Sequence, residues 1–95
     1  MMEADVSIDQ LGVGDSVALP AGEGTVMGIL GGYLGGTGAV VVCNDRRFLL
    51  SEHDGVVVDR WDGWRYVTVL DDAQLTREDD VWTVSDGYAT DGGGR

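Results

Sequence analysis

Val56-Val57-Val58-Asp59-Arg60-Trp61-Asp62-Gly63-Trp64-Arg65-Tyr66-Val67-Thr68-Val69-Leu70 decides the fold. Two β-branched runs flank an Asp-Gly pair, and Asp-Gly favours the positive φ angles of a two-residue hairpin turn. The spacing predicts strands at Val56 to Arg60 and Arg65 to Leu70. It sets Trp61 opposite Trp64, Arg60 opposite Arg65, Asp59 opposite Tyr66, Val58 opposite Val67 and Val56 opposite Val69. Successive strand side chains point to opposite faces, so Val56, Val58, Val67 and Val69 form a core face with the two arginines near its open end. Val57, Asp59, Trp61, Trp64, Tyr66 and Thr68 form the other.

Outward from this hairpin the same grammar repeats, with short β-branched runs between Gly and Asp punctuation. It predicts strands at Asp15 to Leu19, Gly24 to Leu30, Gly38 to Asn44, Arg46 to Leu50 and Val81 to Val84. Val17, Val26, Ile29 and Val41 join the core. Asp71 to Arg77 reads as one helical turn capped by an aspartate. Many short strands in a small chain favour closure, because closure covers edges that would pair with other chains. The expected fold is therefore all-β: a small SH3-like barrel of about five to seven short antiparallel strands with one short helical turn. The domain is expected over residues 10–87, between a flexible N-terminus at 1–9 and a flexible tail at 88–95.

Ninety-five residues leave no room for a second core. The net charge is −11, from 17 acidic residues against six arginines and no lysine. Direct nucleic-acid binding relies on clustered Lys and Arg, so this balance disfavours it. The single Cys43, inside the apolar run Ala39-Val40-Val41-Val42-Cys43, reads as a small core residue in a reducing compartment. No apolar run approaches the roughly 20 residues of a membrane span. The expectation is a soluble cytoplasmic protein with no membrane contact.

Catalytic and metal motifs fail on geometry. Gly31-Gly32-Tyr33-Leu34-Gly35-Gly36-Thr37-Gly38 lacks the Gly-Lys-Ser/Thr ending of a phosphate loop and precedes a strand, not a helix. It reads as a mobile loop between antiparallel strands, with Tyr33 and Leu34 as contacts at its tip. Ser51, His53 and Asp54 are too close in sequence to point at one another as a triad, and His53 has no ligand partners for a metal. No catalytic residue, metal ligand or cofactor is assigned.

Two features remain as candidate partner contacts. Trp61, Trp64, Tyr66 and Asp59 share the face opposite the valines; these aromatics either clasp the hairpin or supply binding area. Asp71 and Asp72, with Glu78, Asp79 and Asp80, are acidic groups that either stay solvated or complement a basic partner.

Val13-Gly14-Asp15-Ser16-Val17-Ala18-Leu19-Pro20-Ala21-Gly22-Glu23-Gly24-Thr25-Val26-Met27-Gly28-Ile29 resembles the opening of the CarD-type RNA-polymerase interaction domain, and more loosely KOW and Tudor modules. The resemblance rests on Gly14-Asp15, Val17, Pro20, Gly22, Gly24, Val26 and Ile29. It implies an SH3-like barrel that contacts protein, such as RNA polymerase, without catalytic residues. The resemblance does not extend to the helical DNA-binding domain of CarD proteins, so only the barrel is expected from it.

The sequence thus predicts a non-enzymatic protein-interaction module, a regulator contacting transcription machinery. Two alternatives stand beside it. One is an acidic nucleic-acid mimic of phage or mobile-element type that blocks a basic DNA-binding protein. The other is a subunit of a homo-oligomeric assembly.

Overall fold

A computed structural model describes residues 6–33, 36–52, 55–85 and 88–89, and for residues 32, 33, 88 and 89 the backbone alone. A short 3-10 turn, Ile8–Gln10, precedes eight strands: β1 (Ser16–Leu19), β2 (Gly22–Tyr33), β3 (Gly36–Cys43), β4 (Arg46–Glu52), β5 (Val56–Trp61), β6 (Tyr66–Glu78), β7 (Val81–Ser85) and β8 (Tyr88–Ala89). Each strand from β1 to β6 pairs with its successor in sequence, and β7 returns to β1, closing a seven-stranded up-and-down barrel. β8 continues β7 along the same edge of β6, with Leu70 opposite Ala89. The fold is the small all-β barrel expected, and it is consistent with an SH3-like one.

One pairing departs from the expected antiparallel set. β1 and β7 run parallel, with Val17 opposite Trp82. Parity is the reason, since strands that reverse at every connection point the same way at the first and seventh positions. β2 and β6 are also long, at 12 and 13 residues, where short strands were expected.

Turn chemistry places the reversals. Asn44 and Asp45, between β3 and β4, both have positive φ, as do Asp79 and Asp80 between β6 and β7. Two consecutive positive φ values in a two-residue loop are the type I′ arrangement, which Asn and Asp tolerate better than other residues with side chains.

The core fills the barrel with Val17, Val26, Val41, Phe48, Leu50, Val58 and Trp82 among its buried members. Cys43 is buried there as a free thiol. Of the eight residues expected in the core, Val17, Val26, Val41, Val56 and Val58 are buried, while Val67 and Val69 are half-buried. Ile29 is 38% exposed. A bulge at Met27 interrupts the β2–β3 register, and β1 pairs with β2 only as far as Thr25, so Ile29 lies beyond the flanking strand.

Three further expectations change. Asp71 to Arg77 is strand, not a helical turn: Ala73 is buried, Leu75 packs on the core and Arg77 lies over the Trp82 ring, a period of two. The stretch from Gly31 to Gly38, expected as a loop, is mostly ladder, with Gly31 opposite Thr37 and Tyr33 opposite Gly36. Val6 to Asp9 are not loose, because Ile8 is 1% exposed inside the barrel and Ser7 and Gln10 form a capping box. Glu52 ties this segment down, accepting hydrogen bonds from Ser7 Oγ at 3.1 Å and the Ile8 N–H at 3.2 Å. At the other terminus Tyr88–Ala89 pairs with β6, and residues 90–95 lie outside the described set.

Candidate functional site

The β5–β6 connection differs from the two-residue turn expected. Trp61 pairs with Tyr66, Arg60 with Val67 and Asp59 with Thr68, leaving a loop of Asp62, Gly63, Trp64 and Arg65. The cause is the Asp62 side chain. Its Oδ1 accepts the N–H groups of Trp64 and Arg65, each at 2.9 Å, while the Asp62 N–H donates to the Arg65 carbonyl at 3.0 Å. Aspartate side chains commonly organise turns in this way, in competition with the backbone-only turn. Gly63, at φ +96°, supplies the conformation that the loop needs.

From Asp59 to Trp61 the slip from the expected register is two residues, which preserves the alternation there; beyond Asp59 bulges widen it, so Val58 lies opposite Leu70, not Val67, and Val56 opposite Ala73, not Val69. Trp61, Tyr66, Asp59 and Thr68 point outward together, and Thr68 Oγ1 donates to Asp59 Oδ1 at 2.8 Å. Trp64 leaves the sheet and stands on the loop, 84% exposed, whereas Trp61 is 36% exposed. The Trp61 and Tyr66 rings meet edge to face with centroids 5.1 Å apart. Arg47 on β4 lies over the opposite side of the same row, 5.9 Å from the Trp61 ring. Val42, exposed on β3, pairs with Arg47 and extends the row.

Arginine collects at this end of the barrel. Arg46 and Arg47 open β4, Arg60 closes β5 on the inner face, and Arg65 belongs to the loop, so four of the chain's six arginines are here. Asp45, Asp59 and Asp62 lie among them, which leaves this end near neutral in a chain of net charge −11. The guanidinium groups act on the loop in turn. The Asp62 carboxyl is held below its ordinary value, first by the hydrogen bonds from the Arg65 and Trp64 N–H groups and then by the charges of Arg65 and Arg60.

The acidic candidates sit elsewhere. Asp71 and Asp72 form an exposed irregularity in β6 beside Gly55, with Asp72 at φ 55°. Glu78, Asp79 and Asp80 lie at the far end of β6, where Asp80 pairs with Arg77 at 3.4 Å. From Tyr66, Asp71 is five residues on, roughly 15 Å of strand, and Glu78 is twelve, roughly 40 Å of chain path. Both groups are thus separated along β6 from the hairpin loop. Tyr33 is described by its backbone alone, pairing with Gly36, and Leu34, His53 and Asp54 lie outside the described residues.

A cleft of 320 Å³ opens at the arginine end, between the β1–β2 turn and the inner faces of β4, β5 and β6. Leu19, Phe48, Val58 and Leu70 give it an apolar lining, completed by Arg46 and Arg60. Sequence reading alone misses this cleft, because it depends on Pro20 and Ala21 folding against residues from three later strands. It also misses Arg47, although outward alternation along β4 carries the signal.

The described geometry defines a closed up-and-down β-barrel with an aromatic and arginine-rich end. Among the described residues no helix is long and apolar enough to cross a membrane. No protein-family model matches the chain, and no curated protein or solved structure does either.

Proposed function

We propose that this protein is a non-enzymatic protein-interaction module whose partner seats on the hairpin end of the barrel. The observation that carries the proposal is Trp64, 84% exposed on a loop whose backbone is fixed by the Asp62 carboxylate. An indole held out in water by a braced loop contributes little to the core and presents contact area with few rotamers to lose on binding. Around it stand Trp61, Tyr66, Arg47 and Arg65. Trp, Tyr and Arg are the residue types that dominate binding energy at protein interfaces.

The arginines favour a partner surface that presents apolar groups together with carboxylates. The resemblance of residues 13–29 to the CarD-type domain points to transcription machinery as the first place to seek that partner. The nucleic-acid-mimic reading draws no support from the acidic groups, since they are spread along β6 and one is neutralised by Arg77.

Affinity capture from source lysate with the wild-type protein and the Trp64→Ala variant tests the proposal. A protein retained by the wild type and lost with the variant is the expected result. Equal retention by both removes the hairpin end from the account.

A further inference from the structure

We infer that the cleft beneath Arg46 and Arg60 binds a small amphipathic carboxylate, a free acid with a short apolar chain. Along β4, Arg46 and Phe48 point to the same inner face; along β5, Val58 and Arg60 do. Phe48 pairs with Arg60 and Val58 with Leu70, so the two strands place apolar side chains at one level and guanidinium groups toward the barrel's end. Leu19 closes the remaining wall. The result is an apolar floor under two cations.

Both cations are available. Among the described residues neither the Arg46 nor the Arg60 guanidinium forms a hydrogen bond or ion pair. The carboxylate on which Arg60 acts, Asp62, already accepts two backbone N–H groups. Arg47 and Arg65 share this lack of an ion pair among the described residues; what sets Arg46 and Arg60 apart is that both line the cleft. Arg presents a planar donor fork that matches a carboxylate, and such charge-assisted bonds strengthen where apolar walls reduce screening.

Size narrows the ligand. At 320 Å³ the cleft is at the low end of small-molecule sites. It suits one alkyl chain, whose burial over Leu19, Phe48, Val58 and Leu70 is favourable in proportion to the apolar area removed from water. An anion without an apolar part leaves that lining wet, and an apolar chain without an anion leaves the arginines unpaired.

Titration with octanoate, octanol and acetate, followed by calorimetry and by the methyl signals of Leu19, Val58 and Leu70, tests this on the intact protein. Octanoate is expected to bind saturably and shift those methyls, with octanol weaker by roughly tenfold or more, the scale of one charge-assisted hydrogen bond, and acetate weaker by roughly tenfold or more through the lost burial of the alkyl chain. Arg46→Gln and Arg60→Gln should each weaken octanoate by a similar factor, with thermal melts confirming that both variants fold. No octanoate binding, equal binding of octanol, or unchanged affinity in both variants overturns the inference. So does binding of a peptide ending in leucine in place of octanoate. The assignment is independent of the hairpin reading: Trp64→Ala leaves octanoate affinity unchanged if the two sites are distinct.

Discussion

The carboxylate of Asp62 accepts the backbone N–H of Trp64 at 2.9 Å, and this bond fixes where the most exposed indole of the barrel stands. It also makes the loop sensitive to acid. The folded pKa of Asp62 lies below its ordinary 3.8, because the bonds from the Arg65 and Trp64 N–H groups favour the ionised form. A depressed folded pKa means that the stabilisation is complete above the unfolded value and is lost as pH falls through the folded one. In an acid titration followed by NMR, the Trp64 and Arg65 amide signals are expected to move together, with a midpoint below 3.8. Asp62→Asn should abolish that step. A midpoint at or above the ordinary value would mean that the side chain does not organise the loop in solution.

How far the hairpin was legible follows from parity. The sequence reading put Trp61 opposite Trp64; the barrel puts Trp61 opposite Tyr66. A two-residue slip preserves the alternation, so Trp61, Tyr66 and Asp59 kept their face although their partners changed. The strand positions were readable because β-branched runs and Asp or Gly punctuation are local signals. The bulges at Met27 and around Val69 to Asp72 were not, since they arise where a strand must bend to close the ring. For the same reason Ile29 and Val69 were misplaced. The cleft was illegible because Leu19, Phe48, Val58 and Leu70 meet only after closure.

The N-terminal segment provides a second test. Ile8 is 1% exposed and belongs to the core, although the chain around it has no long strand or helix. Ile8→Ala should destabilise the protein by about 2–5 kcal/mol, the range for removing a buried aliphatic side chain. Urea denaturation would measure it. A loss near zero would show that the segment only rests on a barrel complete without it.

The two hairpin tryptophans are expected to separate in stability. Trp61 packs against Tyr66 and under Arg47, so Trp61→Ala should cost roughly 1 kcal/mol through the lost cross-strand contacts. Trp64 is exposed, and Trp64→Ala should stay within about 0.5 kcal/mol of the wild type. Thermal melts of both variants give the comparison, and a larger loss at Trp64 would make its indole a structural element of the hairpin.

Gly24 and Gly28 lie four residues apart on β2 and should respond to alanine in opposite directions. A Cβ at Gly24 would stand 2.7 Å from Val41 Cγ1 and 2.8 Å from the Val42 carbonyl oxygen. The carbonyl belongs to β3, paired to β2 on one side and β4 on the other, and cannot retreat without breaking a ladder. Overpacking of this kind costs about 1–3 kcal/mol. At Gly28 nothing lies within 4 Å of the added carbon, and no positive φ reserves the position for glycine. Gly28→Ala removes backbone freedom from the unfolded chain and should stabilise by about 0.4–1 kcal/mol. Urea denaturation of the two variants reads both signs at once. A tolerated Gly24→Ala would show that β2 and β3 are farther apart there, and a destabilised Gly28→Ala would show that the bulge at Met27 needs glycine beside it.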